Sequence, residues 1–354
     1  MPEPPLVACI HHPASISADA FTALRDRLAG AARRIEVRHV PFKESLAVRR
    51  VRSTGSPESR DEAPTAPVDF PAAAREAWRH SEAVLALDLP PEAVALAPQL
   101  RFVQAYSAGI EHFDRALFAE RDIELATAAG VGAGPISEFA IARILEVFKN
   151  TRAIERMQRE RDFHRPGGRS LAGSVMCLVG LGAIGRAVAE RARALGVRVI
   201  ATRRRIDGTD SGADCVDELQ LANRLPQLLP QADIVVLAAA LNDSTRGLID
   251  AAALASMRPG TVLCNVARGG LIDEPALIAA LQRGSIGAAI LDVTEREPLP
   301  ADDPLWDAPN LYLSPHCAVS PEAYDERMLD LFAENLERLA RGELPRNRVL
   351  SELG

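Results

Sequence analysis

The hexapeptide Gly180-Leu181-Gly182-Ala183-Ile184-Gly185 constrains this chain more than any other stretch. An apolar run, Val175–Val179, stops directly in front of it. Behind it the pattern predicts a helix from Ala187 to Leu195, closed by Gly196 before a second apolar run, Val197–Ala201. The first glycine permits a tight turn, the second lets backbone approach a pyrophosphate, and the third lets helix and strand pack closely. A helix start adds unpaired N–H groups and partial positive charge. A bare glycine pattern is also a common structural turn, but here the flanking strand, helix and second strand point to dinucleotide binding. The candidate cofactor contacts are therefore Gly180, Gly182, Ala183, Ile184 and Gly185.

At the end of the second strand, where an NAD site carries an acidic residue for the adenosine ribose, the chain has Thr202-Arg203-Arg204-Arg205. A carboxylate there would repel a 2′-phosphate, whereas guanidinium groups bind one with paired, charge-assisted hydrogen bonds. Thr202, Arg203 and Arg204 join the cofactor set, with NADPH the preferred cofactor and NADH the alternative. A solvated basic run is the competing reading, and Asp207 stands slightly too late to replace the missing acid.

Apolar runs repeat on both sides of this unit. Leu6–Ile10, Ile35–Val40, Ala83–Leu87, Leu100–Ala105 and Ile123–Ala126 precede it, and Ile234–Ala240, Val262–Val266, Ala288–Val293 and Leu311–Leu313 follow. Helical spacing is read over Ser17–Ala32, after Pro135, and over Pro321–Arg341, where Met328, Leu331, Phe332, Leu336 and Leu339 form a packing face. This rhythm predicts the α/β class with doubly wound, mainly parallel sheets. A length of 354 residues exceeds what one core usually serves, so two units are expected. Lys43–Pro71, rich in Arg, Ser, Glu, Asp and Pro, reads as an exposed insertion.

Composition excludes several classes. Hydrophobic residues at 47% are enough to build cores, and the net charge of −7 offers no general attraction to nucleic acid or an anionic membrane. The most apolar interior stretch, Ile234–Leu241, is far below the ~20 residues that span a bilayer. Five cysteines without a Cys-x-x-Cys pair fit neither a disulfide framework nor a zinc ribbon, so a reducing, cytoplasmic compartment and no metal are expected.

Three further features follow in order. Asn265-Val266-Ala267-Arg268-Gly269-Gly270 comes after a strand, Leu291-Asp292-Val293 leads into Glu295-Arg296-Glu297-Pro298-Leu299, and Ser314-Pro315-His316 ends another strand. With the glycine motif, this set resembles the D-isomer-specific 2-hydroxyacid dehydrogenase family, which includes glyoxylate/hydroxypyruvate reductases and D-lactate and phosphoglycerate dehydrogenases. The resemblance runs from about Leu100 to Arg341, takes in Ser107–Asp114, and is weak before Ser81.

The resemblance implies a substrate domain of flavodoxin-like form (1–128), a Rossmann domain (129–317), and a C-terminal segment (318–354) returning to the first, with a cleft between the domains. It implies Arg268 on the substrate carboxylate and carbonyl, His316 as acid/base, and Glu297 as the carboxylate partner of His316. Asp292 would position the nicotinamide carboxamide, Ala267 would line the cofactor site, and Ala108 and Gly109 would offer backbone N–H groups to the substrate carboxylate. By analogy a homodimer forms through Ile136–Phe148 and the arginine-rich stretch to Arg165. Trp306 reads either as a wall residue or as core.

The reaction asks for these side chains on its own account. Reducing a 2-oxo acid places negative charge on the carbonyl oxygen, so a proton donor and a fixed cation are needed. Histidine meets the first demand, and arginine, with its planar fork, the second. Glu297 also sits in a charge run with Glu295 and Arg296, whose competing reading is a solvated surface. Leu87, Asp88 and Leu89 stand where phosphoglycerate-type members carry a cation, which favours a small monoanion such as glyoxylate, hydroxypyruvate or pyruvate. The alternatives are a nucleotide-sensing corepressor-like regulator and a formate-type dehydrogenase of the same fold.

Overall fold

The computed structural model describes residues 4–11, 16–40, 72–110, 113–206, 213–319 and 321–349. The insertion read at Lys43–Pro71 lies outside the described residues, as do Asp207, Glu111 and His112. The chain divides into two compact units. One takes the described residues up to Val131 together with those from Pro321 onward, and the other runs from Gly132 to Ser320.

The first unit holds a five-stranded parallel sheet built from β1 (Leu6–His11), β2 (Ile35–His39), β3 (Ala83–Ala86), β4 (Phe102–Ala105) and β5 (Glu124–Ala126), in the order β2-β1-β3-β4-β5. Its central strands β1 and β3 are short, largely apolar runs whose side chains alternate between faces. Val84 and Ala86 pack on one side with Trp78 and Val94, and Ala83 and Leu85 on the other with Leu24, Leu28 and Phe332. Burial on both faces explains why β3 reads as a continuous apolar run rather than an alternating one. The helix Pro321–Ala340 supplies Met328, Phe332 and Leu336 to this core, all fully buried. Truncating a buried phenylalanine such as Phe332 to alanine costs roughly 3–5 kcal/mol.

The second unit holds a seven-stranded parallel sheet: β6 (Val175–Val179), β7 (Arg198–Arg203), β8 (Glu218–Leu221), β9 (Ile234–Leu237), β10 (Val262–Asn265), β11 (Ala288–Leu291) and β12 (Leu311–Leu313). Its order is β12-β11-β10-β9-β6-β7-β8. From β6 the chain winds outward to β7 and β8, then returns to β9 on the other side, so β6 and β9 flank the point where the winding reverses. In open parallel sheets ligands bind outside the carboxyl ends of strands at this point. The expected doubly wound α/β fold is therefore present in both sheets.

Several boundaries differ from the sequence reading. The helix behind the glycine motif begins at Ala183, inside the motif, rather than at Ala187. The helix expected after Pro135 starts at Ala133, because proline fits the first turn, where its missing N–H has no intrahelical partner to lose. β9 stops at Leu237, short of Ala240. Strand β8 and the helices Ala72–Arg79, Pro91–Leu96 and Arg115–Glu120 were not anticipated. Among the described residues no helix is long and apolar enough to cross a membrane.

Candidate active site

The glycine turn occupies the reversal point. Gly180 has φ +97, and a Cβ there would lie 2.8 Å from the Ala238 carbonyl oxygen and from Ala239 backbone, so only glycine fits between the ends of β6 and β9. At Gly185 a Cβ would stand 2.1 Å from the Gly180 carbonyl oxygen, which forces the helix to sit directly on the turn. Nothing lies within 4 Å of a Cβ at Gly182, the residue that caps the helix Ala183–Ala194. Open space in front of exposed Gly182 and Ala183, at a helix start whose first N–H groups lack helical partners, suits a pyrophosphate. Ile184 is half-buried against the core behind. Thr202, next to last in β7, is buried, and its carbonyl accepts the Gly180 N–H at 3.1 Å, tying the turn to the strand. Arg203 is partly buried and Arg204 exposed at the same strand end.

Three strand ends of the same sheet then present the candidate side chains Arg268, Glu297 and His316. After β10, the buried Asn265 side chain spans a turn. Its Oδ1 accepts the Ala267 N–H at 3.0 Å and its Nδ2 donates to the Arg268 carbonyl at 2.8 Å. The Arg268 guanidinium donates to the Ala267 carbonyl at 2.8 Å, so its stem is folded back over the turn. A Cβ at Gly269 would meet Thr294 and Glu295 backbone at 2.0–2.2 Å, which locks the Arg268 turn against the segment carrying Glu297.

After β12, His316 Nδ1 bonds Glu297 Oε2 at 2.8 Å, with the imidazole side chain 53% exposed. That bond raises the His316 pKa above its ordinary value; burial and the Arg268 charge oppose the rise, and the Glu297 and Asp292 charges add to it. Burial pushes the Glu297 carboxyl up, but the bond and charge of His316, the Thr294 N–H and the Arg268 charge hold it below the usual carboxylate range. His316 and Glu297 thus each feel the other and the Arg268 charge. The arrangement can hold a proton on an accessible imidazole beside a cation.

Asp292, 2% exposed, shapes the histidine loop directly. Its Oδ1 accepts the Ser314 hydroxyl at 2.7 Å and the Cys317 N–H at 3.0 Å, and its Oδ2 accepts the Ala318 N–H at 3.0 Å. His316 has φ +53, a backbone state that costs about 1 kcal/mol or more in a non-glycine residue and persists only where the surroundings impose it. The Asp292 carboxylate, with the His316 N–H donating to the Asp292 carbonyl at 2.8 Å, supplies that constraint. Sequence reasoning assigned Asp292 to the cofactor alone and missed Asn265 and Ser314 as organisers. Both stood within recognised motifs, but Asn265 holds backbone groups and Ser314 the Asp292 carboxylate, partners that motif spacing does not reveal.

Ala108 and Gly109 lie in the first unit, after β4. Ala108 is exposed, and the segment around it is fastened at several points. The Tyr106 hydroxyl donates to Asp325, the Tyr324 hydroxyl donates to the Tyr106 carbonyl, the Ser107 hydroxyl donates to the Gly109 carbonyl, and the Ser107 carbonyl accepts the Ala128 N–H. Neither Tyr324 nor Asp325 was legible as a neighbour of this loop. Trp306 is 54% exposed with its Nε1 donating to the Pro300 carbonyl, so the core reading of that residue is wrong: a short 3-10 turn holds it at the surface. Among the described residues no group of His, Cys, Asp and Glu could hold a metal ion.

A glycine turn at the reversal point of such a sheet is a dinucleotide site, and an imidazole beside a carboxylate and a guanidinium can supply the proton that accompanies a hydride; the class is an NAD(P)-dependent dehydrogenase. Comparison with known proteins narrows it. Residues 141–318 match the profile of the D-isomer specific 2-hydroxyacid dehydrogenase NAD binding domain. A glyoxylate reductase of Korarchaeum cryptofilum is 33% identical over 271 residues, 74% of this chain and 80% of that protein. An (S)-sulfolactate dehydrogenase of Chromohalobacter salexigens is 34% identical over 249 residues, 70% of this chain and 80% of its own. The structure of a D-isomer specific 2-hydroxyacid dehydrogenase from Xanthobacter autotrophicus Py2, solved with NADPH and MES, superposes with a TM-score of 0.75 at 26% identity, covering 98% of both chains. The chain belongs to the D-isomer specific 2-hydroxyacid dehydrogenase family.

Proposed function

We propose that this protein reduces a small monoanionic 2-oxo acid, of the glyoxylate, hydroxypyruvate or pyruvate class, to the D-2-hydroxy acid with NADPH. The observation that carries the reading is the His316–Glu297 bond of 2.8 Å next to Arg268. When bound, the reduced nicotinamide supplies the hydride. His316, its Nδ1–H held by Glu297, keeps Nε2 for the substrate oxygen and delivers the proton there. Because Glu297 raises the His316 pKa, the protonated form needed for reduction persists to higher pH than in an isolated histidine. Arg268 neutralises the substrate carboxylate and the charge that develops on the carbonyl oxygen. Ala108 and Gly109 offer N–H groups to the same carboxylate. Gly180, Gly182, Ala183, Ile184, Gly185, Ala267 and Asp292 serve the cofactor, and Asp292 would meet the carboxamide while it fixes the histidine loop.

NADPH rather than NADH is favoured by Arg203 and Arg204 at the strand end where an acid would repel a 2′-phosphate. A monoanion is favoured by Asp88 at the end of β3, where a second anionic group would be repelled. The unit holding the five-stranded sheet acts as the substrate domain and the other as the cofactor domain. A homodimer through the helices Ala133–Phe148 and Thr151–Glu160, and residence in a reducing cytoplasm, complete the reading. A panel of 2-oxo acids with NADPH and NADH tests it. Absorbance loss is expected with the three named acids and NADPH, and faster turnover of 3-phosphohydroxypyruvate or sulfopyruvate would overturn the substrate class.

A further inference from the structure

The turn that presents Glu297 is held from outside by a carboxylate that takes no part in the chemistry above. Glu274 opens the helix Glu274–Gln282 and is half-buried, and its Oε1 accepts the Glu295 N–H at 2.7 Å. One peptide earlier, the Thr294 N–H donates to Glu297 Oε1 at 3.1 Å, while the Thr294 hydroxyl donates to the Arg296 carbonyl at 2.8 Å. On its other side this backbone abuts Gly269, where a Cβ would lie 2.0 Å from the Thr294 carbonyl carbon. Consecutive N–H groups of one turn are thus divided between Glu274 and Glu297.

We propose that Glu274 is a positioning residue for the acid–base pair: its carboxylate anchors the Thr294–Glu297 turn and so keeps Glu297 aligned on His316 Nδ1. The proposal rests on the reading of Glu297 and His316 given above. Its location is costly for a carboxylate. Burial and the charges of Glu295, Asp303 and Glu297 all push the Glu274 pKa up, and only the Glu295 N–H favours the ion. A side chain kept there against burial and like charge is explained by the N–H it accepts and by what that N–H holds. The ionised groups bearing on His316 itself are Glu297, Asp292 and Arg268. Releasing the turn therefore weakens the largest of the effects that raise the His316 pKa.

The test combines NMR titration of His316 with kinetics on the full-length protein carrying E274A or E274Q, with the resonance assigned by comparison with His316→Gln. In E274A the His316 pKa is expected to move down towards that of an ordinary histidine. The value of kcat/KM for 2-oxo acid reduction at neutral pH should fall about tenfold, since modest misplacement of an acid–base group forfeits part of its contribution. NADPH affinity should stay within twofold. E274Q retains an oxygen for the Glu295 N–H and should recover most of the rate. Should E274A not fold, E274D, which keeps the charge one methylene short of that N–H, must show the same downward movement. An unchanged His316 titration in the folded variant overturns the anchor. A merely structural role would lower the fraction of active protein and leave the titration in place. The titration needs no turnover, so a raised wild-type pKa that drops in E274A supports the anchor even if no 2-oxo acid is reduced.

Discussion

The two parallel sheets contribute candidate contacts from the same kind of place, the loops after strand ends, but by different parts of the residue. In the seven-stranded sheet the contacts are side chains: Arg268 after β10, Glu297 after β11 and His316 after β12, each stiffened by a buried polar partner or a close backbone approach. In the five-stranded sheet they are the backbone N–H groups of Ala108 and Gly109, in a segment tied down by Tyr106, Ser107, Tyr324 and Asp325. Side chains that change charge or donate protons cannot be exchanged for one another. Backbone donors can be carried by almost any residue, provided the loop is fastened.

This difference can be broken by substitution. The largest effect is expected at His316→Asn, which leaves a polar side chain but no titratable acid. Reduction should slow by about 10²–10⁴-fold with NADPH binding intact by fluorescence titration, and near-normal turnover would place the acid elsewhere. Arg268→Lys should follow at roughly 10²-fold in kcat/KM, because a lysine gives a point charge without the fork that matches a carboxylate. A lysine variant as active as the parent would show that charge alone suffices.

Glu297→Gln is expected to cost about 10-fold or more at neutral pH and to move the pH profile in a defined direction. In the parent, Glu297 raises the His316 pKa, so reduction is expected to be full at low pH and to be lost as pH rises through that raised value. Without the carboxylate the loss begins at lower pH, and the reverse reaction, which needs neutral imidazole, gains on its acidic side. A profile that stays put would separate Glu297 from the proton transfer. Replacing Arg203 and Arg204 together by serine should lower the NADPH-to-NADH preference about tenfold, the size of one lost charge-assisted contact, as read from the ratio of kcat/KM values. At the small end, Ala108→Ser should change KM for the 2-oxo acid by less than about twofold, because the N–H it offers is unaffected. A tenfold rise would move Ala108 into the side-chain group.

The same difference decides what could be read before any coordinates. Strands β6 and β10 were legible nearly to the residue because burial on both faces demands an unbroken apolar run. Strand β8 was not. It is an edge strand with half-exposed Glu218, Leu219 and Gln220, and one-sided burial leaves no such run. Short helices such as Pro91–Leu96 span less than two turns and carry too few periodic positions to register. Arg268, Glu297 and His316 were legible as candidates because each sits in an ordered motif behind a strand. Glu274 was not, because its partner is an N–H twenty-one positions away that any residue could provide.

Sequence alone determined the class of both sheets and the glycine turn, and singled out Arg268, Glu297 and His316 as candidates, since each depends on residue type and local spacing. Tertiary structure decided which atoms meet. It alone showed that Gly180 has no room for a Cβ beside Ala238 and Ala239, that Asp292 bonds Ser314, Cys317 and Ala318 on both sides of the positive-φ His316, and that the Tyr324 hydroxyl closes on the Tyr106 carbonyl across 218 residues of chain. Hydrogen bonds act over about 3 Å and depend on direction, so no pattern along the chain encodes them until the packed sheets bring distant segments into register.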